Sequence, residues 1–183
     1  MFPEPAINED LPKHFIEIYL RPGDFYWGGE TTRIQTLLGS CIALTFWHPE
    51  LKQGGMCHFM LPGDGPRSAS ATEKNSGRYG TEAMALFFER IRRLGTRPSE
   101  YVIKMFGGGN MFSGVANARD AMIGDSNIAF ARRFLDEHEL KIANEDVGGS
   151  VHRKLFFDIW SGHVWLKRTA AENLSVPRPG RSA

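Results

Sequence analysis

The residues of this sequence best suited to covalent chemistry lie close together between Thr31 and Pro62. Both cysteines, Cys41 and Cys57, fall in this stretch, and His58 directly follows the second one. A thiol beside an imidazole can serve as a nucleophile with its base, because the thiolate attacks carbonyl carbons while the ring moves the proton. The same residue types also occur as redox pairs, metal ligands and buried packing residues. Their relative positions therefore have to distinguish these roles.

The segments before and after residues 48–51 predict an antiparallel hairpin. Residues 48–51, His-Pro-Glu-Leu, form a natural four-residue turn between them, since proline pre-sets the backbone angle required at the second position of the turn. Continuing from this turn, the register places Cys41 directly opposite His58, with Cβ atoms about 5 Å apart on one face. Alternation puts Cys57 on the other face, which is apolar throughout and is predicted to be core. A bulge at Gly54-Gly55 would shift the register by one residue, so that alternative stays open.

The backbone that precedes Cys41 is expected to assist a nucleophile. Gly39 permits a tight bend before Ser40, so the amides around the cysteine are expected to face a substrate carbonyl oxygen and stabilise an oxyanion. Gly39 and Ser40 are therefore substrate-binding candidates. An imidazolium ring nearby would lower the thiol pKa below its free value of about 8.5. On spacing alone, however, a cysteine–histidine pair across two strands is more often packing than catalysis.

Metal and disulfide chemistry fit the spacing less well. The sequence has no Cys-x-x-Cys and no His-x-x-x-His pair, so Cys41 with His58 would supply only two metal ligands. A disulfide between Cys41 and Cys57 is disfavoured because the two side chains are predicted to lie on opposite faces. We therefore expect neither a metal ion nor an organic cofactor.

Composition and charge exclude several classes of function. The chain has 183 residues, of which 42% are hydrophobic and 23% charged, as expected of one soluble globular domain. Its formal net charge of +1 provides no electrostatic case for binding nucleic acid or anionic lipid. No window approaches the roughly 18 apolar residues of a membrane span, so membrane insertion is not expected. An N-terminus unlike a signal peptide and a low cysteine count together predict a cytoplasmic protein.

The rest of the sequence predicts strands toward both ends of the chain and two helices. The predicted strands cover residues 14–20, 33–38, 41–47, 54–61 and 101–106, and residues 153–169 form a hairpin that turns at its Ser-Gly pair. One amphipathic helix is predicted over residues 81–95, with Gly95 as C-cap and an apolar stripe formed by Ala83, Phe87, Ile91 and Leu94. A second is predicted over residues 125–140, with Asp125 or Ser126 as N-cap. These elements indicate a single α/β domain over residues 13–170, between a flexible leader at 1–12 and a flexible tail at 171–183.

Two further segments are candidates for binding an extended substrate. The polar loop over residues 62–80 is longer than most connections inside a domain, which are short unless they are functional or disordered. The three glycines before Asn110 lack the residue order of a phosphate-binding loop, so they more often let a backbone pass close to another element or to a substrate. We expect Gly108, Asn110, Met111 and Phe112 to line a substrate groove with the polar loop. A tight turn without a ligand is the alternative.

Four segments of the sequence resemble the CheD family of chemoreceptor glutamine deamidases. They are LGSCIALTFWHPELKQGGMCHFMLP, KMFGGGNMF, IGDSNIAFARRFL and EDVGGSVHRKLFFDIWSGHVWLKR, and the resemblance extends from about residue 15 to 168. It implies a cysteine amidohydrolase on a layered α/β/β sandwich of mixed sheets, similar to bacterial toxin deamidases. The implied substrates are glutamine side chains on the cytoplasmic domains of methyl-accepting chemotaxis receptors, which deamidation converts to glutamates. Some family members also bind the phosphatase CheC, so CheC is a second implied partner.

The resemblance also assigns roles to individual positions. Cys41 matches the family nucleophile, which would form a thioester, and His58 matches the family base. The third family residue is a threonine just upstream of the nucleophile. Thr36 is the candidate for it, with Gln35 in the adjacent position, and its hydroxyl would orient the imidazole ring.

Two other kinds of function would use the same residues. A non-catalytic module could bind receptors or CheC through contact alone. A cysteine protease or a transglutaminase would use the same nucleophile with a different acceptor. Ammonia release from a receptor fragment separates the binding module from the enzymes, and the mass of the product separates the enzymes from one another.

Overall fold

Two β-sheets and two long helices make up the part of the chain that the structure describes. The structure is a computed structural model, and it describes residues 11–65, 77–110 and 118–170. In chain order the strands and α-helices are β1 (Ile16–Leu20), β2 (Phe25–Gly28), β3 (Thr32–Leu38), β4 (Ile42–His48), β5 (Gln53–Cys57), α1 (Gly80–Leu94), β6 (Val102–Gly107), α2 (Ala118–Glu137), β7 (Ile142–Val147), β8 (Val151–Asp158) and β9 (His163–Ala170). A short 3-10 helix, Pro98–Glu100, precedes β6. The predicted tail and nearly all of the predicted leader lie outside the described residues.

Both sheets are mixed. One has four strands in the order β1-β3-β8-β9, and the other has five in the order β2-β5-β4-β6-β7. The pairs β1–β3 and β6–β7 are parallel, and the remaining pairs are antiparallel. The predicted strands are all present, and the predicted hairpin near the C-terminus is formed by β8 and β9. Strands β2 and β7 were not predicted from the sequence.

The five-stranded sheet is the middle layer of the molecule and is buried on both faces. One face of β4 packs against the helices through Leu44 and Phe46, whereas Ala43 on its other face contacts the four-stranded sheet. A strand buried on both faces requires a nearly continuous apolar sequence, which β4 has. The layers are therefore helices, sheet and sheet, which confirms the predicted α/β/β sandwich.

Helix α1 agrees with the prediction except at the end of its apolar stripe. It ends at Leu94 because Gly95 adopts the left-handed conformation with φ 69°, and the Gly95 N–H binds the carbonyl groups of the last turn. Ala83, Phe87 and Ile91 are buried, as predicted. Leu94, predicted to share this stripe, is 37% exposed because it occupies the last position of the helix.

Helix α2 begins at Ala118, so the predicted N-cap at Asp125 or Ser126 is wrong. The residues from Ala118 to Met122 have no strong helix breaker, and the helix simply continues through the polar pair. Gly124 lies inside the helix for a packing reason. A Cβ atom at this position would lie 2.6 Å from the Gly108 carbonyl oxygen, so only glycine lets α2 approach that backbone.

The hairpin of β4 and β5 has a different register from the predicted one. His48 pairs with Gln53, and residues 49–52 form the loop, in which Lys52 adopts φ 46°. A type I turn alone splays two strands against their natural twist, and an added residue in the left-handed conformation corrects this. Glycines 54 and 55 pair regularly, so they do not form the bulge that was left open.

Because the register differs by two residues, each side chain keeps its predicted face. Cys57 is fully buried in the core between the five-stranded sheet and the helices, as predicted. Cys41 and His58 are not directly opposite each other, however. Ile42 and Phe59 exchange both backbone hydrogen bonds, which makes Cys41 and His58 diagonal neighbours on one face across that pair.

Replacing Gly124 by Ala should destabilise the protein, although Gly→Ala inside a helix ordinarily stabilises it by about 0.5–1 kcal/mol. The added methyl group would overlap the Gly108 carbonyl and push α2 away from it. Gly29→Ala is the matched control, since a Cβ atom there meets nothing within 4 Å. Urea unfolding of both variants tests the prediction, and a gain in stability for Gly124→Ala would contradict the packing.

Candidate active site

A hydrogen bond from Thr36 of β3 fixes the ring of His58. The Thr36 Oγ1 lies 2.8 Å from the His58 Nδ1, and the same hydroxyl donates its proton to the Leu20 carbonyl oxygen at 2.9 Å. A hydroxyl has one proton, so Nδ1 must be the donor in its bond to Oγ1. The neutral ring therefore has its proton on Nδ1, and Nε2 is left as an acceptor. This is the tautomer that a base requires.

The position of Thr36 follows from the alternation of β3. Ile34, Thr36 and Leu38 are fully buried toward the other sheet, which is the side on which His58 lies. Gln35, the alternative third residue, is on the opposite face of β3, in register with Phe156. The structure thus brings Thr36, and not Gln35, against the imidazole.

The backbone of His58 is held by the turn that precedes β2. The His58 N–H donates to the Asp24 carbonyl at 2.9 Å, and the His58 carbonyl accepts from the Gly23 N–H at 2.7 Å. This turn is closed by a hydrogen bond from the Asp24 N–H to the Arg21 carbonyl and by one from the Arg21 N–H to the Asp24 carboxylate. The turn also positions Leu20, whose carbonyl binds Thr36. Sequence analysis did not connect this turn with the site.

Cys41 lies in the short segment between β3 and β4, against the glycine run that ends β6. The Gly108 N–H donates to the Cys41 carbonyl at 2.8 Å, and the Gly109 N–H donates to the Gly39 carbonyl at 2.8 Å. A Cβ atom at Gly107 would overlap the Cys41 carbonyl oxygen. The predicted reason for these glycines, close approach to another element, is therefore correct, and that element is the segment with the candidate nucleophile.

The predicted oxyanion donors fit this arrangement. Among the described residues, no backbone carbonyl accepts a hydrogen bond from the N–H of Gly39, Ser40 or Cys41. The carbonyl groups of this segment, by contrast, are bound by the glycine run and by helix α2. The segment is thus held by its acceptors, and no backbone group of the described residues occupies its donors.

Burial keeps both candidate catalytic groups neutral in the free protein. It raises the pKa of the Cys41 thiol to about 11, against the opposing effect of the residue's own backbone N–H. It lowers the pKa of His58 to about 4, although the Leu20 carbonyl and Asp24 favour the charged ring. The expectation that an imidazolium lowers the thiol pKa is therefore wrong for the free protein, because burial, nearly complete at His58 and partial at Cys41, disfavours the charged form of each group.

Asn127 on α2 also contacts the segments that hold Cys41 and His58. Its Nδ2 donates to the Ser40 carbonyl at 3.1 Å and to the Met60 carbonyl at 2.9 Å, and the residue is fully buried. Sequence analysis did not single it out. The signal that could have done so is a buried amide one helical turn after Gly124, on the apolar side of the helix.

The predicted substrate-binding residues are only partly described. Gly39, Ser40 and Gly108 lie around Cys41, as the contacts above show. The Asn110 N–H donates to the Gly149 carbonyl at 2.8 Å, which joins the glycine run to the loop between β7 and β8. Met111, Phe112 and most of the polar loop over residues 62–80 lie outside the described residues.

Other chemistry has little support in the described part of the chain. There, no group of three or more His, Cys, Asp or Glu side chains is placed to hold a metal ion. Cys57 lies on the opposite face of the five-stranded sheet from Cys41. Burial raises the pKa of its thiol to about 12. Neither of the described helices has the length and apolar character needed to cross a membrane.

The buried His58 should make the protein less stable as the pH falls from about 6.5 to about 4. In this window the unfolded chain takes up a proton on His58, but the folded chain does not, because its pKa is lowered. By linkage the loss is about 3 kcal/mol of unfolding free energy. Urea unfolding at several pH values should show it in the parent and not in His58→Gln. The same pH dependence in both proteins would contradict the burial of a neutral ring.

Comparison with known proteins places the chain in a family. The sequence profile described as "CheD chemotactic sensory transduction" matches residues 60–168, a range that begins just after His58. A relative from Dechloromonas aromatica, named "Probable chemoreceptor glutamine deamidase CheD 3", is 45% identical over 155 residues, which cover 85% of this chain and 89% of that protein.

Two further relatives have similar names and coverage. "Probable chemoreceptor glutamine deamidase CheD" from Pseudomonas savastanoi pv. phaseolicola is 42% identical over 166 residues, 89% of this chain and 90% of its own. "Probable chemoreceptor glutamine deamidase CheD 1" from Leptospira interrogans is 40% identical over 164 residues, 86% of this chain and 95% of its own. With the profile match over more than half of its length, the chain belongs to the CheD family.

Proposed function

We propose that this protein is a glutamine deamidase that acts on chemoreceptors and converts glutamine side chains to glutamates with release of ammonia. Membership of the CheD family and the names of the relatives support this reaction and this class of substrate. The observation that carries the proposal is the Thr36–His58 hydrogen bond, which leaves Nε2 of a buried imidazole free on the face that Cys41 shares.

The proposed reaction starts from a neutral thiol and a neutral imidazole. As the Cys41 sulfur attacks the carboxamide carbon of the substrate, Nε2 of His58 takes the thiol proton. The carbonyl π electrons move to the oxygen, and the N–H groups of Ser40 and Cys41 stabilise the resulting oxyanion. The imidazolium then gives its proton to the amide nitrogen, the carbon–nitrogen bond breaks, and ammonia leaves a thioester on Cys41.

Hydrolysis of the thioester completes the cycle. His58 removes a proton from a water molecule, whose oxygen attacks the thioester carbon. The carbon–sulfur bond then breaks, the proton returns to the Cys41 sulfur, and the glutamate side chain is released. Throughout, Thr36 keeps Nδ1 protonated and opposes rotation of the ring, and Leu20 holds the Thr36 hydroxyl in its accepting orientation.

The cellular setting of the proposal follows from its substrate. Target glutamines would lie on the cytoplasmic domains of methyl-accepting receptors, which would place the enzyme in the cytoplasm. A CheC phosphatase, which some family members bind, would compete with receptors for the enzyme. Met111 and Phe112 remain candidates for the substrate groove.

Replacing Cys41 by Ala should abolish ammonia release from receptor cytoplasmic fragments, and replacing His58 by Gln should lower turnover by about a hundredfold or more. Cys57→Ala is the control, since it should cost only about 1 kcal/mol of stability for its small cavity and leave turnover intact. Peptide mapping of the fragment by mass spectrometry identifies the product. A cleaved or cross-linked fragment would show that the enzyme is a protease or a transglutaminase, and binding without any product would favour a non-catalytic module.

Replacing Thr36 by Val should lower kcat about tenfold or more with little change in KM, because the ring loses the acceptor for Nδ1 and with it the fixed tautomer. Thr36→Ser keeps the hydroxyl and should keep most of the activity. Gln35→Ala is the neighbouring control on the other face of β3 and should behave as the parent does. Steady-state kinetics of the three variants on a receptor fragment test this ranking of kcat values. A larger loss of kcat for Gln35→Ala than for Thr36→Val would show that Gln35 is the third residue.

A further inference from the structure

We propose that Asn127 is a positioning residue that sets the distance between the Cys41 thiol and the His58 imidazole. The inference rests on the proposed function, because it assumes that these two groups react together. The hydrogen bonds that the structure describes for Asn127 go to neither of them. Its side-chain amide binds the backbone on the far side of each, at Ser40 immediately before the thiol and at Met60 shortly after the imidazole.

The two segments need such a link because they extend beyond the regular pairing of their strands. Strand β4 begins after Cys41, and β5 ends before His58. Past the end of the regular β4–β5 ladder, the two chains are joined by the isolated backbone pair of Ile42 and Phe59. Beyond that pair, Asn127 donates one proton of the same NH₂ group to each segment. The amide therefore takes the place of the next backbone pair of the ladder. Its rigid geometry fixes the distance between the Ser40 and Met60 carbonyl groups.

The orientation of this amide is determined by its partners. Both acceptors are backbone carbonyl oxygens, so the NH₂ group has to face them, and a flipped amide would place three oxygens against one another. In this orientation Oδ1 is buried, and no described residue donates to it.

Close packing against the glycine run fixes where α2 places Asn127. Gly124, one turn earlier, lies against the Gly108 carbonyl, and Ile128 packs against the Cα of Gly108. The Gly108 N–H in turn binds the Cys41 carbonyl. The helix thus packs against the glycine run that binds the Cys41 carbonyl, and its Asn127 binds both the segment before Cys41 and the segment after His58. A small movement of α2 would change the thiol–imidazole distance.

The test uses Asn127→Leu, which keeps the approximate volume and removes both donors, with Asn127→Ala in parallel. In each, kcat on a receptor fragment should fall about tenfold or more and KM should stay within about twofold. The pH profile of Cys41 alkylation by iodoacetamide, measured in a Cys57→Ala background, should move to higher pH, since His58 no longer takes the thiol proton as the sulfur attacks the reagent.

A buried residue of α2 away from the site provides the control for stability. Leu135→Ala should lower the unfolding midpoint at least as much as the Asn127 variants, because Leu135 is 1% exposed. It should leave kcat and the alkylation profile unchanged. If the Asn127 variants lose stability but keep the parental kcat and alkylation profile, Asn127 is merely structural and the proposal is overturned.

Two further measurements separate the possible failures. If the parent releases no ammonia from receptor fragments, the proposed function fails, and the alkylation profile still decides the role of Asn127. If neither Asn127 variant folds, hydrogen exchange in the parent tests the two hydrogen bonds on which the proposal rests. The side-chain NH₂ protons of Asn127 should exchange much more slowly than those of the exposed Asn144. Equally fast exchange at the two residues would overturn the proposal.

Discussion

One hydrogen bond, between Thr36 and His58, joins the two sheets at the candidate active site. The Thr36 hydroxyl belongs to the four-stranded sheet, and His58 follows a strand of the five-stranded sheet, so their hydrogen bond joins the two sheets beside an apolar cluster. Because the hydroxyl proton goes to the Leu20 carbonyl, the ring can bind only by donating from Nδ1. A buried hydrogen bond contributes about 1 kcal/mol, but an unpaired buried partner costs about 1–3 kcal/mol. Sheet packing, ring orientation and tautomer therefore depend on one another.

The backbone contacts of Cys41 have a similar double effect. Gly107 and Gly108 have positive φ angles and no side chains, so β6 approaches the nucleophile segment closely enough to bind its carbonyl group. The thiol held in this segment is partly buried, and its loss of hydration raises its pKa. A neutral thiol is a poor spontaneous nucleophile, and this favours a site in which the proton moves to His58 only during attack. The low dielectric that suppresses ionisation also strengthens the interaction of backbone dipoles with a developing oxyanion.

Much of the architecture could be predicted from local patterns. The period of two along β4 and β5 placed Cys57 in the core and Cys41 on the other face, and a register difference of two residues preserves that assignment. The end of α1 at Gly95 also followed from local chemistry, since glycine accommodates the left-handed conformation. The start of α2 did not, because Gly124 resembles a helix breaker until its contact with Gly108 is known.

The sequence by itself determined which residue types could react, which face of a strand each occupies and which family the chain resembles. These properties depend on neighbours in the chain and on alternation. Only the tertiary structure decided that Thr36 and not Gln35 reaches His58, because the choice depends on which face of β3 meets the second sheet. It also decided the register, the neutral state of the thiol and the ring, and the contact of Asn127 with both segments. Each of these depends on burial or on contact between elements distant in the sequence, which no local pattern specifies.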